Sequence, residues 1–152
     1  MKTAADPNVL RSLVDRLGAV RVDSQRRWGT LTPHEMLCHL GDAAEMVLMI
    51  RPRTLPVPVP RSGAVIKALL LWPPIPWPGG VKTNPRHDPR AEGTRPSEFE
   101  RDRARAITSL QGIGAATGSL EPVHGIFGNM TCRDWQRWAY RHTDYHLRQF
   151  GL

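Results

Sequence analysis

His142 and His146 stand four residues apart in the stretch Arg141-His142-Thr143-Asp144-Tyr145-His146. On a helix this spacing puts both imidazoles on one face, with β carbons separated by roughly 5–6 Å, so that two rings can grip one ion. Catalytic zinc sites typically use about three protein groups and keep one position open. A further ligand must therefore come from elsewhere in the chain. His39 is the best candidate, because Met36, Leu40, Ala43 and Val47 surround it on the apolar stripe of its own segment. The C-terminal pair is equally inward: Trp135, Trp138, Ala139, His142, His146 and Gln149 trace one stripe at helical spacing. Buried unpaired histidines cost stability, and a metal with hydrogen-bonded ligands accounts for imidazoles on a face meant for the core. Satisfied core or surface histidines are the alternative that spacing alone leaves open. The candidate ligands of a divalent ion, zinc, nickel, iron or manganese, are thus His39, His142 and His146.

Two polar residues share the ligand faces. Asp42 lies three residues after His39 and Gln149 three after His146, placed to orient an imidazole, to contact the open position, or to be ordinary polar neighbours. Helical geometry turns Asp144 and Tyr145 away from the histidine stripe. His34, five residues before His39, falls in the first exposed turn and reads as structural, while spacing places neither His87 nor His124. Cys132, in the first turn of the last helix, is a rival nucleophile because the helix dipole favours a thiolate, although no base is paired with it. Cys38 reads as packing. Trp72 and Trp77 suit an apolar pocket wall or a homodimer contact, and Trp28, Trp135 and Trp138 read as core.

The elements that must position these groups are helices. Asp6-Pro7 has the form of an N-cap followed by proline at the first helical position, and Val9, Leu10, Leu13, Val14 and Leu17 continue at helical spacing to Gly18. Thr32-Pro33-His34-Glu35 matches a capping box and predicts a second helix over residues 33–50. Residues 51–96 read as one long proline-rich crossover, extended over 52–60 where Pro52, Pro56, Pro58 and Pro60 recur, with a short helix over 63–71. Ser97 is the predicted cap of the third main helix, with Phe99, Ala106, Ile107 and Leu110 inward, Glu100, Arg101, Arg103 and Arg105 outward, and an end at Gly112. Thr131, with Asp134 three residues later, caps the last helix, which runs to about Gln149. Four substantial helices and no convincing alternating strand predict an all-α fold, a four-helix bundle whose crossover joins helices two and three.

At 152 residues the chain fits one domain, residues 1–152. A hydrophobic fraction of 40% and a charged fraction of 23% belong to an ordinary globular protein. The net charge of +7 allows an anionic partner, but the arginines are dispersed and interrupted by carboxylates, so no nucleic-acid site is expected. The N-terminus lacks a secretory core, and the most apolar run, residues 64–72, meets Pro73-Pro74 far short of the roughly 20 residues that span a bilayer. The expectation is a cytoplasmic protein without a membrane segment.

Three stretches resemble the DinB-like and YfiT-like metalloenzyme family: Thr32-Pro33-His34-Glu35-Met36-Leu37-Cys38-His39-Leu40, His124-Gly125-Ile126-Phe127-Gly128, and His142-Thr143-Asp144-Tyr145-His146-Leu147-Arg148-Gln149-Phe150-Gly151. The similarity spans nearly the whole chain, and the C-terminal motif is its specific part. The resemblance implies an antiparallel bundle with a metal at one end, ligated by a helix-two histidine and a spaced pair on helix four; those roles fall on His39, His142 and His146. It also implies a thiol-dependent transferase working with a low-molecular-weight thiol such as mycothiol or bacillithiol on a small electrophile. The other function class is a non-catalytic, metal-stabilised helical module that binds a ligand without turnover. The segment WPPIPWPGG, residues 72–80, departs from many relatives, so the substrate pocket is expected to be this chain's own.

Overall fold

The computed structural model describes residues 1–51, 60–77 and 84–152. The extended backbone expected over 52–60 and the end of the WPPIPWPGG segment fall largely outside the described residues. Helix α1 spans Pro7–Gly18, and the Asp6 carboxylate caps it by accepting from the amide of Asn8 at 2.9 Å. Helix α2 spans Pro33–Val47 behind a complete capping box, in which the Thr32 hydroxyl accepts from the Glu35 amide and Glu35 accepts from the Thr32 amide at 2.7 Å. It ends three residues before the predicted Ile50, because Met49 adopts a left-handed φ of 58°. Sequence rules look for glycine or asparagine at such a stop, and methionine there is not a signal they read.

Helix α3, Gly63–Ile66, runs on as a π-turn over Lys67–Leu71, which is the short helix expected in the crossover. Helix α4 covers Phe99–Ala115 and outlasts the predicted stop at Gly112. Ser97 does not cap it. The cap position is Glu98, without a side-chain bond, and the Ser97 amide instead donates to Asp102 Oδ2 at 3.2 Å. A two-residue antiparallel pair follows, β1 (Val123–His124) with β2 (Gly128–Asn129), in the register Val123↔Asn129 and His124↔Gly128. The expected helical character is observed, with a small two-stranded hairpin added to it. Helix α5, Cys132–Gln149, begins behind a second capping box from Thr131 and Asp134.

Helix α2 is buried on nearly every face from Met36 to Ala44, which makes it the central element. It packs chiefly on α4 and also touches α5, and α1 closes over α4 and α5. The shared core takes Leu13 and Leu17 from α1, Met36 and Val47 from α2, Leu110 and Ile113 from α4, and Trp135 and Leu147 from α5. The crossover is held to α5 by polar groups. Asp134 accepts from Lys67 Nζ at 2.9 Å and from the Trp72 indole at 3.0 Å, and buried Arg137 donates to the carbonyls of Leu71, Trp72 and Lys2. No helix among the described residues is long and apolar enough to cross a membrane.

Candidate metal centre

His39 lies on the face of α2 that meets α5, and His142 and His146 lie one turn apart on α5. Their ring centroids form a nearly equilateral triangle: 4.9 Å for His39 to His142, 4.7 Å for His39 to His146 and 4.8 Å for His142 to His146. One ligand atom from each falls within 4.8 Å of the others. His39 and His146 are buried, at 4% and 8% exposed, and His142 is half-buried. The structure thus brings together all three residues that spacing selected.

Hydrogen bonds fix which nitrogens face inward. His39 Nδ1 lies 2.8 Å from the carbonyl oxygen of His87, which can only accept, so Nδ1 carries the proton and Nε2 keeps its lone pair. His146 Nδ1 lies 3.0 Å from Gln149 Oε1, leaving its Nε2 unprotonated in the same way. His39 Nε2 and His142 Nε2 are 3.0 Å apart. Two nitrogens bound to one tetrahedral ion at 2.0–2.1 Å stand roughly 3.3 Å from each other, so the pair is close to ligand spacing. The donor chemistry and the convergence both fit a divalent ion.

All three rings are held neutral at ordinary pH. Burial depresses the proton affinity of His39, partly offset by its bond to His87. Burial also takes His142 well below the usual imidazole range, and charge on His146 or His39 would depress it further. His146 is lowered to about 3 by burial, then by His39, against the opposing bond from Gln149. Neutral imidazole is the form that binds metal.

Aromatic rings enclose the cluster. Trp138 stacks on His142 with centroids 4.4 Å apart and an interplanar angle of 21°. Tyr145 stands edge-on to His146 at 5.2 Å, and Trp77 lies 6.5 Å from His142 and 6.2 Å from Tyr145. Tyr145 is therefore beside the centre, against the expectation from helical geometry that it points away; its ring is large enough to lean back over the neighbouring turn. Trp77 and Tyr145 also line an open cleft of about 470 Å³, together with Pro74, Ile75, Tyr140 and Arg141.

The remaining candidates have other duties. Asp42 does not orient an imidazole. Its buried carboxylate accepts from the Thr94 amide at 2.6 Å, the Thr94 hydroxyl at 2.7 Å and the guanidinium groups of Arg105 and Arg51 at 2.9 Å each. Burial works against its charge, but these donors outweigh burial and hold the carboxyl below its usual range. Gln149, by contrast, does orient His146. The His34 ring meets Asp102 at 2.8 Å, and His124 Nδ1 accepts from the amides of Ile126 and Phe127, shaping the hairpin turn. Cys132 donates its thiol to the Ala116 carbonyl at 3.2 Å, and burial pushes the Cys38 thiol up to about 12, so neither is poised as a nucleophile. Trp28 is 42% exposed and packs edge-on against Tyr145 at 5.0 Å, which corrects its reading as core.

The His87 carbonyl and the Trp138 stack were missed by reasoning from sequence. The second had a signal, since Trp138 and His142 are spaced by four on one stripe; the first had none, because a backbone acceptor in an irregular segment has no residue type to read. Comparisons of this chain with protein-family models, with curated proteins and with solved structures find no match.

Proposed function

We propose that this chain is a metal-dependent enzyme of the DinB-like kind, a four-helix bundle that holds a divalent ion on His39, His142 and His146 and transfers a low-molecular-weight thiol onto a small electrophile. The carrying observation is the convergence of three neutral imidazoles from α2 and α5 with their Nδ1 protons already engaged on His39 and His146. An ion held there supplies Lewis acidity, which lowers the proton affinity of a thiol or water brought to it.

The protein's own groups supply the rest. Gln149 and the His87 carbonyl lock two rings in place, so the donor atoms are set before anything binds. Trp77, Trp138 and Tyr145 pack around the imidazoles, and Trp77 and Tyr145 also border the cleft in which a substrate would sit. Arg141 donates to the Pro73 and Ile75 carbonyls, which among the described residues engage two of its five N–H groups, and lies 5.3 Å from the Trp77 ring. Its guanidinium suits an electrophile bearing a carboxylate or similar anionic group. In the transfer a carbon–sulfur bond forms, the leaving group departs with its bonding pair, and the thiol proton passes to solvent.

A second reading is favoured by the near-complete burial of His39 and His146: an ion held that deeply also suits a non-catalytic module. Elemental analysis of untagged protein tests the shared premise, which fails if no stoichiometric metal is present or taken up. Consumption of test thiols with anionic electrophiles separates the two readings. Turnover that disappears in His142→Ala supports the enzyme, and metal without turnover supports the module.

A further inference from the structure

Residues 38 and 39 are adjacent on α2, and one residue of helix turns the side chain by about 100°. While His39 faces α5, Cys38 and His34, one turn apart, face Asp102 in the first turn of α4. His34 Nε2 lies 2.8 Å from Asp102 Oδ2, and Cys38 Sγ lies 3.5 Å from the same oxygen. One ligand atom from each of the three falls within 4.8 Å of the others.

The donor set has metal chemistry. Imidazole nitrogen, thiolate sulfur and carboxylate oxygen bind zinc at about 2.0–2.3 Å, which places neighbouring ligand atoms roughly 3.3–3.7 Å apart in a tetrahedron. The Cys38 to Asp102 separation already has that value, and the His34 ring needs to withdraw by about half an ångström. Charge is compatible with the same occupant: a thiolate and a carboxylate neutralise a divalent cation, so a neutral complex would replace a buried carboxylate that is now held by His34, Cys38 and the Ser97 amide. Cys38 is 0% and Asp102 2% exposed, while His34 keeps a solvent-facing edge through which an ion can enter. Phe99 stands edge-on to the His34 ring at 5.2 Å and limits its rotation.

We infer that His34, Cys38 and Asp102 form a second binding site for zinc or a similar divalent ion, separate from the three-imidazole centre, which staples the start of α2 to the start of α4. Binding releases the Cys38 proton to solvent. The staple acts on the most extensive helix pairing in the fold.

Cobalt(II) tests this, because a thiolate ligand produces a sulfur-to-cobalt charge-transfer absorption that an all-nitrogen site lacks. Untagged protein stripped by chelator and titrated with cobalt(II) is expected to take up two equivalents and to show that absorption. Cys38→Ser is expected to lose the absorption and one equivalent, whereas Cys132→Ser and His142→Ala keep the absorption. Wild-type protein saturated without a thiolate band overturns the site, whatever the folding of the variants. Persistence of the band in Cys38→Ser, or its loss in His142→Ala, overturns the assignment of Cys38 or the independence of the two centres.

Discussion

Removing the Asp42 carboxylate separates its role as an anchor from the role of imidazole partner that its spacing from His39 allows. In Asp42→Ala the Thr94 amide and hydroxyl, Arg105 and Arg51 all lose their acceptor at once. Breaking a buried ion pair by deleting one member costs roughly 3–5 kcal/mol. The side chains of Arg105 and Arg51 are 23% and 37% exposed, so water and Glu45 recover part of the loss, and the low end, about 3 kcal/mol, applies. With an unfolding entropy of about 2.1 cal/mol/K per residue, 152 residues give about 0.32 kcal/mol/K, so the melting temperature should fall by about 9 °C. Melting of metal-free wild type and variant followed by far-ultraviolet circular dichroism measures the fall, and elemental analysis below the transition measures bound metal. The expectation is a large thermal loss with metal stoichiometry retained. A drop under about 3 °C accompanied by loss of metal would refute the anchor role and return Asp42 to the imidazoles.

Gln149→Leu removes the acceptor of His146 Nδ1 and should weaken metal affinity by about 10- to 100-fold, measured by competition with a chelating dye; unchanged affinity would mean that the ring is oriented by packing alone. Glu35 is held at about 2, chiefly by its hydrogen bonds to Arg90, so its folded value lies below its unfolded one; its stabilisation is present above about pH 4.5 and disappears as pH falls toward 2. Arg90 is half exposed, which limits the effect to about 1 kcal/mol, so Glu35→Gln should be less stable than wild type at pH 6 by that amount and equal to it near pH 2, and a gap independent of pH in urea titrations would refute the assignment. Gly63→Ala sets a β carbon 2.8 Å from the backbone nitrogen of Gly128 and 2.9 Å from the carbonyl carbon of Phe127; the hairpin must move, at a cost of about 1–3 kcal/mol in the same titration, and a neutral change would show that α3 is not seated there.

What was legible in the sequence depended on whether a residue type speaks for itself at short range. Asp6-Pro7, the Thr32 to Glu35 box and Thr131 with Asp134 are local signals, and each marks the helix start observed. The stop at Met49 and the capping of α4 were not legible, since one uses a residue that seldom takes a left-handed φ and the other replaces a side-chain cap with Asp102 from the helix's own first turn. The two-residue strands at Val123 and Gly128 are too short to show alternation. Arg105, placed outward by the α4 pattern, bends back to Asp42, because a long stem lets a guanidinium cross an edge that a pattern treats as a boundary.

The same contrast explains the centre itself. Histidine spacing within α5 is a local geometric fact, and the apolar company of His39 marks it as inward, so the three rings were findable before their meeting point was. The atom that supports His39 comes from the 3₁₀ turn Pro85–His87, as the carbonyl oxygen of His87, whereas His146 is supported by Gln149 on its own helix. That turn and the residues after it, as far as Thr94, are tied to α2 and its C-terminal end. Arg90 reaches Glu35 at 2.7 Å, Thr94 is bound by Asp42, and Arg51 donates to the carbonyl of Arg86 at 3.4 Å. Each tie ends on a group in or just after α2, the helix that carries His39. The anionic side chains of α2 thus stay off the ligands and fasten the segment that orients one, and the imidazole centre keeps an all-neutral donor set while the charge that secures it sits one layer out.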